Sequence, residues 1–107
     1  MYQYKGRIER WVDGDTVLVT LELGFYVMKE ERFRLARINT PEIRGKERKE
    51  GLKVMALIND FCPVGSSVTI DSKKRDRYGR WIAEVEYNNQ NISQWLLDNG
   101  HAEEVEY

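Results

Sequence analysis

Three short clusters carry most of the residue types in this chain that could do chemistry. They are Asp13-Gly14-Asp15-Thr16, Arg34-Leu35-Ala36-Arg37-Ile38-Asn39-Thr40-Pro41-Glu42 and Asp76-Arg77-Tyr78-Gly79-Arg80. Their carboxylate and amide oxygens suit a hard cation, which prefers oxygen ligands. Their arginines suit a phosphate, because a planar guanidinium donates two parallel hydrogen bonds to two oxygens at once. A site that holds both is matched to a phosphodiester. Hydrolysis of such a bond builds negative charge on the phosphoryl oxygens, and a fixed cation with two guanidinium groups offsets that charge where it forms. A glutamate beside a rigid Thr-Pro turn, as at Glu42, can hold or deprotonate the attacking water.

Each cluster also has a plainer explanation. Asp-Gly-Asp alone is more often a turn, since both residue types favour turns. Asn39-Thr40-Pro41 reads equally as a polar cap followed by proline. The run from Lys73 to Arg80 could be a solvated loop. Two arginines resist this treatment. Arg34 shares its strand parity with Ala36 and Ile38, so it is either a snorkelling edge residue or one aimed into a cleft. Arg80 begins an apolar strand (Trp81, Ala83, Val85) beside the Tyr78-Gly79 turn.

The elements that must position these residues follow from periodicity. Tyr2 to Val12 reads as an opening strand. Thr16 to Leu23 alternates, with Val17, Val19, Leu21 and Leu23 on one face. Arg32 to Ile38 is a third strand. Residues 49–62 read as a helix with Leu52, Met55, Ala56 and Ile58 near one stripe, stopped by Pro63 and Gly65. Two strands follow, Ser67 to Asp71 and Arg80 to Tyr87, and Asn88-Asn89 forms a tight turn. A last helix starts after an Asn91 cap and closes at Gly100. The order β-β-β-α-β-β-α is that of a mainly β, α+β chain forming a five-stranded OB-fold barrel.

Composition bounds the function. At 107 residues the chain reads as one domain, 1–107, with 41% hydrophobic residues and enough length to bury a core. Net charge is 17 basic minus 18 acidic, or −1, which argues against a sequence-independent nucleic-acid coat protein. Positive charge is local: Lys73, Lys74, Arg75, Arg77 and Arg80 fall within eight residues, opposed only by Asp76. Apolar runs are too short to span a membrane. Cys62 is the only cysteine, so no intrachain disulfide and no cysteine metal site can form. No basic-then-apolar leader precedes the first strand; the expectation is a cytoplasmic protein, or a secreted one whose leader has been removed. A monomer is expected, with an oligomer left open.

The three clusters, in this order and at these strand ends, resemble the staphylococcal nuclease (thermonuclease) family, from about Tyr4 to His101. The resemblance rests on D-G-D-T at Asp13 to Thr16, R-x-x-x-(I/V)-(D/N)-T-P-E at Arg34 to Glu42, and D-x-Y-G-R at Asp76 to Arg80. It implies an OB-fold enzyme that hydrolyses DNA and RNA with calcium, cutting the P–O5′ bond to leave 3′-phosphates. In that reading Asp15 and the Thr40 carbonyl bind the metal, and Asp13 orients it from just outside. Asn39 stands at the second ligand position. Glu42 handles the attacking water, Arg34 and Arg80 clamp the phosphate, and Arg77 and Tyr78 bind the terminal-phosphate side of the substrate.

Three departures stand out. Asn39 replaces the family's aspartate, so the site loses one negative charge and weaker calcium binding is expected. The segment between Asp15 and Arg34 is longer and carries the semi-apolar Phe25-Tyr26-Val27-Met28. The chain also ends at Tyr107 without the family's C-terminal helix. Tyr87, Trp95 and Tyr107 are candidates for base stacking; Trp11, Trp81 and Trp95 read as core or half-core, and His101 has no assigned role. The alternative function is a catalytically weakened OB-fold module that binds single strands or a protein. Arg34, Glu42 and Arg80 speak against it and Asn39 speaks for it. A purely structural domain gains nothing from these residues.

Overall fold

The computed structural model describes residues 2–75 and 77–105; Asp76 and Tyr107 lie outside them. Strand β1 (Tyr2–Asp13) runs antiparallel to β2 (Thr16–Glu22), and β2 to β3 (Met28–Leu35). Helix α1 (Arg48–Phe61) separates this meander from β5 (Ser67–Arg75) and β6 (Trp81–Tyr87). β5 pairs with both β1 and β6, and β6 returns to lie parallel to β3 at Phe33↔Trp81, Arg34↔Ile82 and Leu35↔Ala83. The circuit β3-β2-β1-β5-β6-β3 is therefore a closed five-stranded mixed barrel, as expected for an OB-fold. Two-residue strands decorate it: β4 (Ile38–Asn39) pairs with β8 (Glu103–Glu104), and β7 (Gln90–Asn91) extends β6 ahead of helix α2 (Ile92–Asp98).

Alternation fills the barrel. Val17, Val19 and Leu21 point inward with Phe33, Leu35, Ile70, Ala83 and Val85. Ile8 and Trp11 are three residues apart yet both only 1% exposed. A bulge between Ile8 and Arg10 inserts the residue that brings both inward. A second irregularity, between Trp11 and Asp13, shifts the register just where the first chemical cluster begins. Helix α1 covers one opening of the barrel with Val54 and Ile58, and Trp11 Nε1 donates to the Cys62 carbonyl at 2.9 Å to fix its end.

Some element boundaries differ from the sequence reading for physical reasons. The third strand starts earlier, at Met28, and stops at Leu35, because Arg37 takes a left-handed φ of 69° and turns the chain before β4. β5 runs on to Arg75, so Lys73 and Lys74 are strand residues rather than loop. Leu23 lies beyond β2 and is 40% exposed. The buried stripe of α1 is Gly51, Val54 and Ile58, while Leu52 and Ala56 face solvent. Asn91 does cap α2, accepting from Gln94 N at 2.9 Å, and Gly100 is left-handed at φ 72°.

Candidate active site

The β1–β2 turn, the β3–β4 turn and the loop after β4 meet at one end of the barrel. Gly14 makes the meeting possible: a Cβ there would lie 2.8 Å from Thr40 Oγ1 and 3.0 Å from Val54 Cγ1. Asp15 follows and is buried at 6% exposure. Its Oδ2 accepts from the Thr40 backbone N–H at 3.1 Å and its Oδ1 from the Thr16 hydroxyl at 3.2 Å. Asp15 O also accepts from Leu35 N at 2.8 Å, so main chain and side chain both tie this residue to the strand that carries Arg34.

Arg34 answers the question its strand parity left open: it is turned into the protein and 7% exposed. Its Nη2 pairs with Asp15 Oδ2 at 3.3 Å and donates to Asn39 Oδ1 at 2.8 Å. Its Nη1 donates to the carbonyls of Leu35 at 3.2 Å and Ile38 at 3.0 Å. One guanidinium thus fastens the three-residue link between Leu35 and Asn39 and sets Asp15 beside the Asn39 amide. Burying a charge on this scale is tolerable only because it is paired and hydrogen-bonded.

Glu42 is exposed and lines a small pocket of about 230 Å³ with Val12, Asp13, Ile43 and Arg44. Its main chain is held from behind by α1. A Cβ on Gly51 would collide with the Glu42 carbonyl and come within 2.8 Å of Ile43 N. Asp13 Oδ1 accepts from Gly14 N at 2.7 Å. Partial burial, followed by the neighbouring Asp15 and Glu42 charges, pushes the Asp13 carboxyl up, against the lowering pull of the Gly14 bond and Arg34.

Arg77, Tyr78 and Arg80 form a separate group. Both guanidinium carbons lie over the Tyr78 ring, at 5.3 Å for Arg77 and 5.5 Å for Arg80. Tyr78, Gly79 and Arg80 line a groove of about 610 Å³ with Leu18, Glu30, Glu31 and Arg32 of the β2–β3 hairpin. Arg32 and Arg34 are two residues apart on β3, so this groove runs along the same strand that carries the buried arginine. The sequence-predicted residues therefore fall into a bonded set (Asp15, Arg34, Asn39, Thr40), an adjoining carboxylate pair (Asp13, Glu42) and a loop group of exposed Arg77 and Tyr78 with half-buried Arg80.

A family model of staphylococcal nuclease homologues matches residues 32–107. The chain belongs to the staphylococcal nuclease homologue family. Two proteins, each named "Uncharacterized endonuclease", one from Escherichia coli O157:H7 and one from Escherichia coli, are 32% identical to it over 98 residues, 91% of this chain. The chain spans 58% of the length of these curated relatives. The family match includes Arg34 to Glu42 and Arg77 to Arg80, while the Asp13-Gly14-Asp15 turn lies upstream of it.

Chemistry of the donor set in this nuclease homologue suits a hard cation. The Asp15 carboxylate, Asn39 Oδ1 and the Thr40 carbonyl are oxygen donors, and Asp13 and Glu42 crowd negative charge beside them. Among the described residues no three His, Cys, Asp or Glu side chains form a ready-made metal cluster, so a cation held here would draw on mixed carboxylate, amide and carbonyl oxygens. Thr40 Oγ1 is buried with no hydrogen-bond partner among the described residues.

Sequence reasoning missed two supporting residues. Gly51 carries no signal of its own within the helix pattern, yet its missing side chain is what lets α1 lie against the Glu42 main chain. Arg37, given no role from the sequence, makes a two-point ion pair with Glu84 (Nε to Oε2 2.8 Å, Nη2 to Oε1 3.1 Å). Asn91 Nδ2 also donates to Glu84 at 3.1 Å, joining the β3–β4 turn to the α2 cap. Two stacking candidates are already engaged: Trp95 lies flat on Phe61 at 4.1 Å, and Tyr87 meets the Phe61 edge at 5.6 Å. No helix among the described residues is long and apolar enough to cross a membrane.

Proposed function

We propose that residues 1–107 act as one cation-dependent nuclease domain on DNA and RNA. The observation that carries this reading is the bonding of Arg34 to both Asp15 and Asn39, which puts a guanidinium beside cation-binding oxygens in one rigid unit. Asp15, Asn39 and the Thr40 carbonyl would hold calcium, with Asp13 orienting them. An amide oxygen has two lone pairs, so Asn39 can accept from Arg34 and still face a cation, with one negative charge fewer than an aspartate. The bound ion would supply Lewis-acid stabilisation of charge on the phosphoryl oxygens.

The chain's own residues do the rest. Glu42 takes a proton from a water in its pocket as that oxygen bonds to phosphorus, and the P–O5′ bond breaks. The departing 5′-oxygen takes a proton from solvent and leaves as a hydroxyl, Glu42 returns its proton to solvent, and phosphate stays on the 3′ side. Arg34 and Arg80 grip the phosphate and offset the charge that grows on it. Arg77 and Tyr78 bind the terminal-phosphate side.

Degradation of denatured DNA with calcium, with a chelator control and Glu42→Gln alongside, tests this. Cleavage should need both calcium and Glu42 and yield 3′-phosphates. A folded protein that binds single strands but cuts nothing at high calcium would instead be an OB-fold binding module whose cation site fails at Asn39. That alternative draws on the missing negative charge there, and Asn39→Asp should then restore cutting.

A further inference from the structure

The β2–β3 hairpin projects past the barrel, and its tip is apolar. Phe25 is 98% exposed and Tyr26 104%, flanked by exposed Leu23, Val27 and Met28. The turn closes by Leu23 N to Val27 O at 2.9 Å and Val27 N to Gly24 O at 2.8 Å. Gly24, Phe25 and Tyr26 all have left-handed φ, at 85°, 53° and 61°. Aromatic residues gain nothing from that conformation, which glycine or asparagine adopt more cheaply. Two rings held in strained backbone and offered wholly to water are a binding feature rather than a folding one.

The tip lies farther out on the hairpin whose β3 strand walls the groove that starts at the arginines. Tyr78 and Arg80 line that groove with Glu30, Glu31 and Arg32 of β3, and β3 leads from there through Lys29 and Met28 to the tip. From Arg34 to Met28 the strand covers about 20 Å, the length of roughly six stacked bases at ~3.4 Å each. The neck gives phosphates no net attraction: Glu22, Glu30 and Glu31 outnumber Lys29 and Arg32, and Lys29 is paired to Glu31 at 3.3 Å. What the tip offers is two aromatic faces, and every base has a face to stack on them.

We propose that Phe25 and Tyr26 form a base-stacking platform for the single strand that enters the site, which rests on the nuclease reading above. Substrates long enough to span the groove gain affinity there. Those too short to reach the tip do not.

The test compares the wild type with the double variant Phe25→Asn, Tyr26→Asn. Asparagine suits the left-handed turn, so the rings are lost and the hairpin kept; unchanged thermal unfolding checks this. Calcium-dependent cleavage of a 15-nucleotide oligothymidylate is measured beside that of a trinucleotide. KM for the long strand should rise about 10- to 100-fold, since stacking contributes about 1–3 kcal/mol per base. The trinucleotide should be cut equally by both proteins. The KM ratio on the long strand should hold between 50 and 200 mM salt, because stacking releases no counterions. An unchanged KM on the long strand, or an equal loss on both substrates, would overturn the proposal. If the wild type cuts nothing, the nuclease reading fails by itself. Binding of the fluorescent 15-mer then decides the tip: weaker binding by the variant upholds it, and equal binding overturns it.

Discussion

Arg34 and Arg80 share one proposed task, yet the fold treats them in opposite ways. Arg34 sits in the barrel wall, 7% exposed, with its guanidinium against a carboxylate, an amide and two carbonyls. Arg80 stands at the end of the β5–β6 loop, half-buried, after Gly79 with its left-handed φ of 81°, and over the ring of a Tyr78 that is 70% exposed. The first is positioned by folding itself. The second is presented from the loop between β5 and β6, on the surface of the barrel. If the two arginines share that task, the fold would commit stability to one half of the site and carry the other on its surface.

The largest effect that sharpens this contrast comes from Asp15→Ala. It leaves the buried Arg34 charge without its carboxylate, which costs about 3–5 kcal/mol and lowers the thermal midpoint by more than about 12 °C. Tyr78→Ala on the loop should move the midpoint by under about 2 °C, in line with exposed substitutions. A matching drop in both, read by calorimetry, would erase the distinction.

Gly51→Ala comes next. The added methyl collides with the Glu42 carbonyl, overpacking that costs about 1–3 kcal/mol. Displacing the glutamate should also cut kcat about a hundredfold, with KM nearly unchanged. Full kcat in a destabilised protein would show that α1 supports the barrel but not the position of Glu42.

Glu84→Gln should cost about 1 kcal/mol at neutral pH, a discounted figure because Arg37 is partly exposed. Burial raises the Glu84 carboxyl, but bonds from Arg37 and Asn91 outweigh it and leave the group below its usual value of 4.5. Its contribution is therefore present above that value and fades as pH falls through the lowered one. Urea unfolding of variant and wild type should converge as pH falls from 4.5 through the lowered value; a gap that remains once Glu84 is protonated in the folded state would contradict the ion pair's role.

The smallest expected change is a gain. Asp13 has its carboxyl pushed above 3.8 in the fold, mainly by burial and then by Asp15 and Glu42. The folded state thus binds more protons than the unfolded chain in that window, and stability falls as pH rises across it. Asp13→Asn should raise the thermal midpoint at neutral pH without calcium, and the difference should vanish in acid. A lower midpoint at pH 7 would show that the carboxylate stabilises the turn.

How much of this was legible depended on the range of the interaction. The barrel order, the Asn91 cap and the Asn88-Asn89 turn are local signals, and the left-handed φ of 51° and 64° at those asparagines matches them. Arg34 was visible as special because it broke the alternation of an apolar strand, but its partners Asp15 and Asn39 meet it only through folding. Arg37 was hidden, since nothing in a β-like run announces a left-handed arginine whose carbonyl accepts from Val105 N at 2.8 Å. Gly51 was hidden as well: its value lies in a contact with Glu42, not in helix propensity. The basic residues Lys73 and Lys74 read as loop because charge masked a strand whose pairing with β6 continues to Arg75.

Paired measurement of DNA cleavage and thermal unfolding in Arg34→Ala and Arg80→Ala tests the division of labour most directly. Both variants should lose about a thousandfold or more in calcium-dependent cleavage, as expected for a guanidinium that offsets phosphoryl charge. Only Arg34→Ala should also unfold early, with Arg80→Ala staying within about 0.5 kcal/mol of wild type. Full cleavage by Arg80→Ala, or equal loss of stability in both, would contradict a clamp with one arm built into the barrel and the other carried on a loop.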